Sequence, residues 1–154
     1  MADYGKKKSN RYAFATSQFE KAMEAGFYLE AITITESMIS DRLLASQRHL
    51  EGKEHKASTG LRRLLEMHLK DQKLRAESGN PDEKGKAIFG ELMTWCEQRN
   101  DLLHGVAKFQ PGSEDELETT EQLMERARTR ADEGLHLFRR LDSWLRRERT
   151  RHAA

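Results

Sequence analysis

Residues 78–105 read SGNPDEKGKAIFGELMTWCEQRNDLLHG and contain the strongest structural signals in the chain. The stretch opens with a turn sequence, in which Asn80 can cap a helix and Pro81 suits its first position. Apolar side chains then recur every three or four residues, which is typical of an amphipathic helix; they are Ile88, Leu92, Trp95 and Leu103. We therefore predict a helix from Pro81 to about His104. Gly105 should close it in a left-handed conformation.

Similar periodicity predicts helices along the rest of the chain. Their expected ranges are Ser17–Ala25, Phe27–His49, a segment starting at the cap Ser58, and Glu114–Arg147 after a capping box at Ser113. The expected fold is an all-α, up-and-down bundle of about five helices, with helices two, four and five forming the core. The bundle should occupy residues 12–148 as a single domain. Residues 1–11 and 149–154 should be flexible basic tails.

The composition indicates a highly charged helical protein without a global attraction for nucleic acid. Apolar residues make up 36% and charged residues 34%, and the net charge is only +1. No apolar run approaches the 18 residues of a membrane span, and no apolar segment follows the N-terminal lysines as in a signal peptide. Cys96 is the single cysteine, so it is expected to be a small buried side chain rather than half of an intrachain disulfide. A cytoplasmic location fits these features.

Two charged residues lie on otherwise apolar helix rows. Glu36 falls between Ile32 and Ile39, and Arg99 continues the row of Trp95 and its neighbours. Burying a single charge is costly, so these rows predict an ion pair between Glu36 and Arg99. The alternative is that Glu36 lies at the edge of its row and reaches water.

Arg99 and His104 are the residues best suited to chemistry. Cleavage of RNA without a metal needs a base for the ribose 2′-OH, an acid for the leaving 5′-oxygen, and positive charge near the phosphate. Histidine titrates near neutral pH and serves as either acid or base. Arginine presents a planar fork of donors that matches phosphate oxygens. The other histidines and the carboxylates have no metal-like spacing, so neither a metal site nor a cofactor is expected.

The sequence Arg99-Asn100-x-x-x-His104-Gly105 resembles the Arg-x4-His signature of the HEPN superfamily, small helical bundles of which many are metal-independent ribonucleases. The resemblance implies that residues 12–148 form a HEPN-like domain in which His104 is the acid or base, Arg99 the phosphate stabiliser and Asn100 a supporting polar contact. Glu36 is a further supporting residue, as the expected ion-pair partner of Arg99. It implies an RNA substrate cut to a 2′,3′-cyclic phosphate and a 5′-OH, and a homodimer that brings two motifs together. A protein antitoxin or regulator is a further implied partner, in a toxin, phage-defence or RNA-processing setting.

Two features complicate this interpretation. Residues five apart on a regular helix point about 140° away from each other, so Arg99 and His104 share a face only if the backbone departs from helix near Gly105 or if two protomers combine. Some HEPN toxins carry a modified tyrosine two residues after the histidine, where this chain has Val106. A non-catalytic HEPN-like binding module and an unrelated helical interaction protein therefore remain alternatives.

The C-terminal arginines offer a second possible contact with RNA. Arg146, Arg147 and Arg149 could extend a substrate channel, because phosphate contacts supply most sequence-independent affinity. The alternative is that they form a solvated helix face.

Overall fold

The computed structural model describes residues 2–51, 59–107 and 118–153, and the regular structure in these ranges is entirely helical. The helices are α1 (Ala2–Ala25), α2 (Tyr28–Glu51), α3 (Leu61–Glu77), α4 (Glu83–Ala107) and α5 (Thr120–Ala153). The predicted all-α fold is confirmed.

Helices α2 to α5 form a four-helix bundle, and α1 packs on its outside. In this bundle α2 contacts α3, α3 contacts α4, α4 contacts α5, and α5 returns to α2. Helix α1 lies against α2, and its Tyr12 ring meets the Phe138 ring of α5 edge-on at 5.6 Å. The largest fully buried apolar side chains come mainly from α2, α3 and α4.

Helices α2, α4 and α5 approach one another closely near Gly134 of α5. A Cβ atom at this position would lie 2.7 Å from the Trp95 ring of α4 and 2.8 Å from Thr35 of α2. The Trp95 indole N–H also donates to the backbone carbonyl of Arg130, at 2.8 Å. The missing side chain at Gly134 thus lets three helices meet at one level of the core.

Both predicted ends of α4 were misplaced. The helix is capped by Asp82 rather than Asn80: the Asp82 Oδ1 accepts the Gly85 N–H at 3.0 Å, and its Oδ2 accepts the Trp144 indole N–H at 3.0 Å. At the other end the helix runs through Gly105 to Ala107. Among the described residues, only Gly26 and Gly79 have positive φ angles. A glycine inside a helix costs only about 1 kcal/mol, which a packed helix can tolerate.

Helix α1 begins at Ala2, well before the predicted start at Ser17. Tertiary contacts explain the difference, because they hold a polar segment that has no apolar row of its own. The Tyr12 hydroxyl donates to Asp41 of α2, and Lys8 forms an ion pair with the same carboxylate at 3.1 Å. The basic residues expected in a flexible tail therefore lie on this helix.

Helix α5 is capped by a reciprocal pair of hydrogen bonds. The Gln122 N–H donates to the Thr119 hydroxyl at 3.2 Å, and the Thr119 N–H donates to the Gln122 side chain at 2.9 Å. The helix continues to Ala153, so residues 149–153 of the expected C-terminal tail extend it. The caps predicted at Ser58 and Ser113 lie outside the described residues, and α3 begins after Gly60.

None of the helices in the described ranges is both long enough and apolar enough to cross a lipid bilayer.

Candidate functional site

The ion pair predicted between Glu36 and Arg99 is present and joins α2 to α4. The Arg99 Nη1 donates to a Glu36 carboxylate oxygen. Its Nη2 donates to the Asn100 side-chain oxygen at 2.8 Å and lies 3.9 Å from the Cys96 sulfur. Three side chains thereby fix the guanidinium in one orientation.

This pair lies at the edge of the bundle. Glu36 therefore both pairs with Arg99 and reaches water, although the sequence presented these as alternatives. The Arg99 side chain is 13% exposed and the Glu36 side chain 26% exposed. The Arg99 Nε is fully buried and has no hydrogen-bond partner among the described residues. The guanidinium is therefore held from the protein side, while a small part of the Arg99 side chain stays accessible to solvent.

Cys96 lies beside this cluster but is poorly suited to chemistry. Its side chain is fully buried, as predicted for a small apolar residue. Burial raises the pKa of the Cys96 thiol, although the adjacent Arg99 guanidinium acts in the opposite direction. The thiol is therefore protonated at neutral pH and is not a nucleophile.

His104 lies near the end of α4, in a different environment from Arg99. Its side chain is exposed. Leu103 and Val106 beside it are also exposed, at 41% and 43%, whereas Leu102 is buried. The end of α4 thus presents an imidazole within a small apolar surface.

Within one chain, Arg99 and His104 do not share a helix face. The expectation that the backbone leaves the helix at Gly105 is wrong, because α4 stays helical to Ala107. The two side chains therefore point about 140° apart. One copy of the chain supplies a fixed cation and a separate exposed acid or base, rather than a single site.

The three C-terminal arginines do not form one cluster. Arg146 is bound to Asp142 at 2.9 Å, and Asp142 also binds the buried Arg42 at 2.8 Å. Arg147 lines a groove between α4 and α5, and Arg149 is exposed. Arg147 thus belongs to a concave surface, and Arg146 belongs to a network of ion pairs.

Sequence reasoning missed two charged features. The first is the Arg42–Asp142 pair across α2 and α5, whose only signal is that both residues adjoin core leucines, Leu43 and Leu141. The second is the groove containing Arg147, which also contains Lys84 and Arg139. Arg139 and Arg147 are eight residues apart, close to two helical turns, and this spacing could have indicated their common face.

In the described part of the chain, no group of three His, Cys, Asp or Glu side chains is arranged to hold a metal ion. No protein-family model matches this sequence, and no curated protein or solved structure matches it either. The HEPN resemblance therefore depends on the motif at residues 99–105 and on the all-helical fold around it.

Proposed function

We propose that this chain is a metal-independent endoribonuclease of the HEPN type, with Arg99 and His104 as its catalytic residues. One observation supports this proposal best: the Arg99 guanidinium is fixed by Glu36 and Asn100, while His104 is exposed five residues later on the same helix. A preorganised cation stabilises charge that develops in a transition state. An accessible imidazole can reach a substrate and exchange protons with it.

In the proposed reaction, an imidazole takes the proton of a ribose 2′-OH, and the freed O2′ attacks the adjacent phosphorus. The bond from phosphorus to the 5′-oxygen breaks, and that oxygen leaves with a proton from a second acid. The products are a 2′,3′-cyclic phosphate and a 5′-OH. Arg99 balances the charge on the non-bridging phosphate oxygens.

The proposed active site contains two copies of the chain. Arg99 and His104 of one copy point in different directions, and a single histidine supplies only one of the two proton transfers. A two-fold contact presents the same surface on both copies, so it would double the motif in one cleft. Exposed Leu103 and Val106 give the His104 surface apolar area for such a contact.

Light scattering tests this arrangement. At micromolar concentration we expect the mass of a homodimer; the mass of a monomer would count against two copies sharing one site.

The first experiment is incubation of the purified protein with total RNA in EDTA. We expect cleavage by the wild type and a rate about 10²–10⁴ lower for His104→Ala, the usual contribution of general acid–base catalysis. Lys73→Ala is the control, since Lys73 is an exposed helix side chain on α3 that lies outside both the motif and the α4–α5 groove. Equal rates for His104→Ala and the wild type would rule out this mechanism.

A second experiment tests the nucleophile and the arginine. A single 2′-deoxy substitution at a mapped cut site should abolish cleavage there, because the attacking hydroxyl is gone. Arg99→Lys should restore little activity relative to Arg99→Ala, since an ammonium group cannot bridge two phosphate oxygens as guanidinium does. Continued cleavage at the deoxy position would show a different nucleophile.

The second candidate is a non-catalytic HEPN-like binding module. The observation that favours it is the pairing of Arg99 with Glu36, which occupies one face of the guanidinium. This candidate predicts RNA retention without cleavage, and unchanged RNA in the EDTA experiment would favour it. In either case a protein antitoxin or regulator is a proposed partner, and toxin, phage-defence and RNA-processing roles are the proposed settings.

A further inference from the structure

We propose that the groove between the first half of α4 and the last half of α5 binds the phosphate backbone of a nucleic-acid strand independently of its sequence. This groove has a volume of about 600 Å³. Its charged lining consists of Lys84, Arg139, Arg140 and Arg147 against the single carboxylate Glu83. The proposal assigns this surface a binding role that does not depend on Arg99 or His104.

Most of the positive charge in this groove is uncompensated. Arg140 forms an ion pair with Glu91. Lys84, Arg139 and Arg147 are exposed and form no ion pair with any residue in the described ranges. Like charges held close together repel, so an anionic ligand would be favoured between them.

The neighbouring carboxylates of α5 do not neutralise the groove, because other partners engage them. Asp142 binds Arg42 and Arg146 on another side of the helix. Glu148 binds Arg75 at 3.4 Å and Arg151 at 3.3 Å. The local charge is therefore strongly positive although the whole chain carries only +1.

The shape of the charged surface indicates a linear ligand. Arg139 and Arg147 are separated by eight residues, or about 12 Å along α5. A single small anion cannot contact both ends of this row, whereas the phosphates of one strand repeat about every 3.4 Å along a duplex. No Phe, Tyr or Trp is among the described residues that line the groove, so stacking on bases is not expected.

The groove between α1 and α2 provides an informative contrast. It is also lined by cations, including Lys7 and Lys8. There, however, Lys7 pairs with Asp3 at 2.8 Å and Lys8 pairs with Asp41 at 3.1 Å. Of the lysines and arginines that line this groove, only Arg11 has no ion pair in the described ranges, against three in the α4–α5 groove. The α4–α5 groove is therefore the better site for an external polyanion.

Salt-dependent binding tests this proposal separately from cleavage. The probes are a fluorescein-labelled 20-nucleotide single-stranded RNA and the DNA of the same sequence, measured by anisotropy in EDTA at several salt concentrations. All proteins carry His104→Ala, so that any cleavage of the RNA is slow compared with the measurement. The test variant adds Arg139→Gln and Arg147→Gln. The control adds Arg11→Gln and Arg128→Gln, which remove the same charge from exposed arginines outside the groove.

We expect the test variant to bind both probes more weakly than its parent. The slope of log K against log salt should become shallower by about 1.4, since each lost contact with a single strand contributes about 0.7. The control should keep the parent slope, and thermal melting should show both variants folded. An unchanged slope in the test variant would overturn the proposal. An equal loss of affinity in the control would also overturn it, because binding would then depend on net charge. A loss of affinity for RNA but not for DNA would overturn it as well, because it would show recognition of the 2′-OH.

Discussion

The two ends of α4 differ in how firmly neighbouring helices hold them. At the N-terminal end, Asp82 caps the helix and accepts the Trp144 indole N–H from α5. The backbone at Gly85 lies so close to its surroundings that a Cβ atom would fall 2.8 Å from the Gln72 side chain of α3. At the C-terminal end, His104 and Val106 are exposed.

This difference separates stability from candidate chemistry along one helix. The N-terminal end uses a carboxylate and a glycine for packing, and it leaves little freedom to either. The C-terminal end has an exposed histidine that no packing contact requires to be histidine. Substitutions of Asp82 and Gly85 should therefore destabilise the protein, while substitution of His104 should alter its activity and leave its stability nearly unchanged.

The largest effect on stability is expected for Asp82→Ala. The substitution removes a helix cap, worth about 0.5–2 kcal/mol, and leaves the buried Trp144 indole N–H without its acceptor, worth about 1–3 kcal/mol. We expect a total loss of about 2–4 kcal/mol in urea denaturation. Asp101→Ala, an exposed change near the other end, should stay within about 0.5 kcal/mol of wild type. Equal losses at both ends would refute the contrast.

A pair of glycine substitutions should give effects of opposite sign. In Gly85→Ala the new Cβ would lie 2.8 Å from Asp82 and 2.9 Å from Trp144, so we expect a loss of about 1–3 kcal/mol from overpacking. In Gly105→Ala the only atom within 4 Å of the new Cβ, among the described residues, is the Arg126 Nη2 at 3.9 Å. Helix propensity should then stabilise Gly105→Ala by about 0.5–1 kcal/mol. Thermal melting of the two variants checks both signs.

Glu36→Gln tests whether the Arg99 cluster belongs to the packed part of α4 or to its exposed end. Removing the carboxylate leaves a partly buried guanidinium without its charged partner. Hydrogen bonds to charged groups contribute about 1.5–3 kcal/mol, and partial exposure reduces this, so a loss of about 1–2 kcal/mol is expected. His104→Ala should leave the free energy of unfolding within about 0.5 kcal/mol of wild type. If Glu36→Gln leaves the free energy of unfolding unchanged, the Arg99 cluster does not contribute to packing and belongs with the exposed end of α4.

The smallest effect is expected at Tyr12 of α1, away from both ends of α4, where the free energy of unfolding should depend on pH. Burial, followed by the hydrogen bond to Asp41, raises the pKa of Tyr12 above its ordinary value of 10.0. The folded state therefore favours the protonated phenol, and this stability is fully present below about pH 10 and lost as the pH rises further. Tyr12→Phe should be about 0.5–1.5 kcal/mol less stable than wild type at pH 8, with a smaller difference at pH 11. A difference of the same size at pH 8 and at pH 11 would contradict this prediction.

Much of the fold could be predicted from local patterns, with the helix boundaries as the main exception. The apolar rows of α2 and α4 identified these helices and most of their buried faces. Leu103 is an exception, because it is 41% exposed while its neighbour Leu102 is buried. The start of α1 could not be predicted, because its first half has no apolar row and depends on Tyr12 and Lys8 meeting Asp41. The cap of α4 was placed two residues early, since Asn80 and Asp82 are both good caps and only Asp82 is also bound by Trp144.

The sequence by itself determined the helical class, the pairing of Glu36 with Arg99 and the burial of Cys96. Each follows from the free-energy cost of burying an unpaired charge or exposing an apolar row. That cost depends on residue type and on the helical period, and both can be obtained from the sequence. Tertiary structure alone decided that α4 stays helical past Gly105, so that Arg99 and His104 point in different directions. It also decided that Lys84 lies in one groove with Arg139 and Arg147. Those outcomes depend on which helices become neighbours, and residues distant in sequence acquire a common surface only after the bundle has packed.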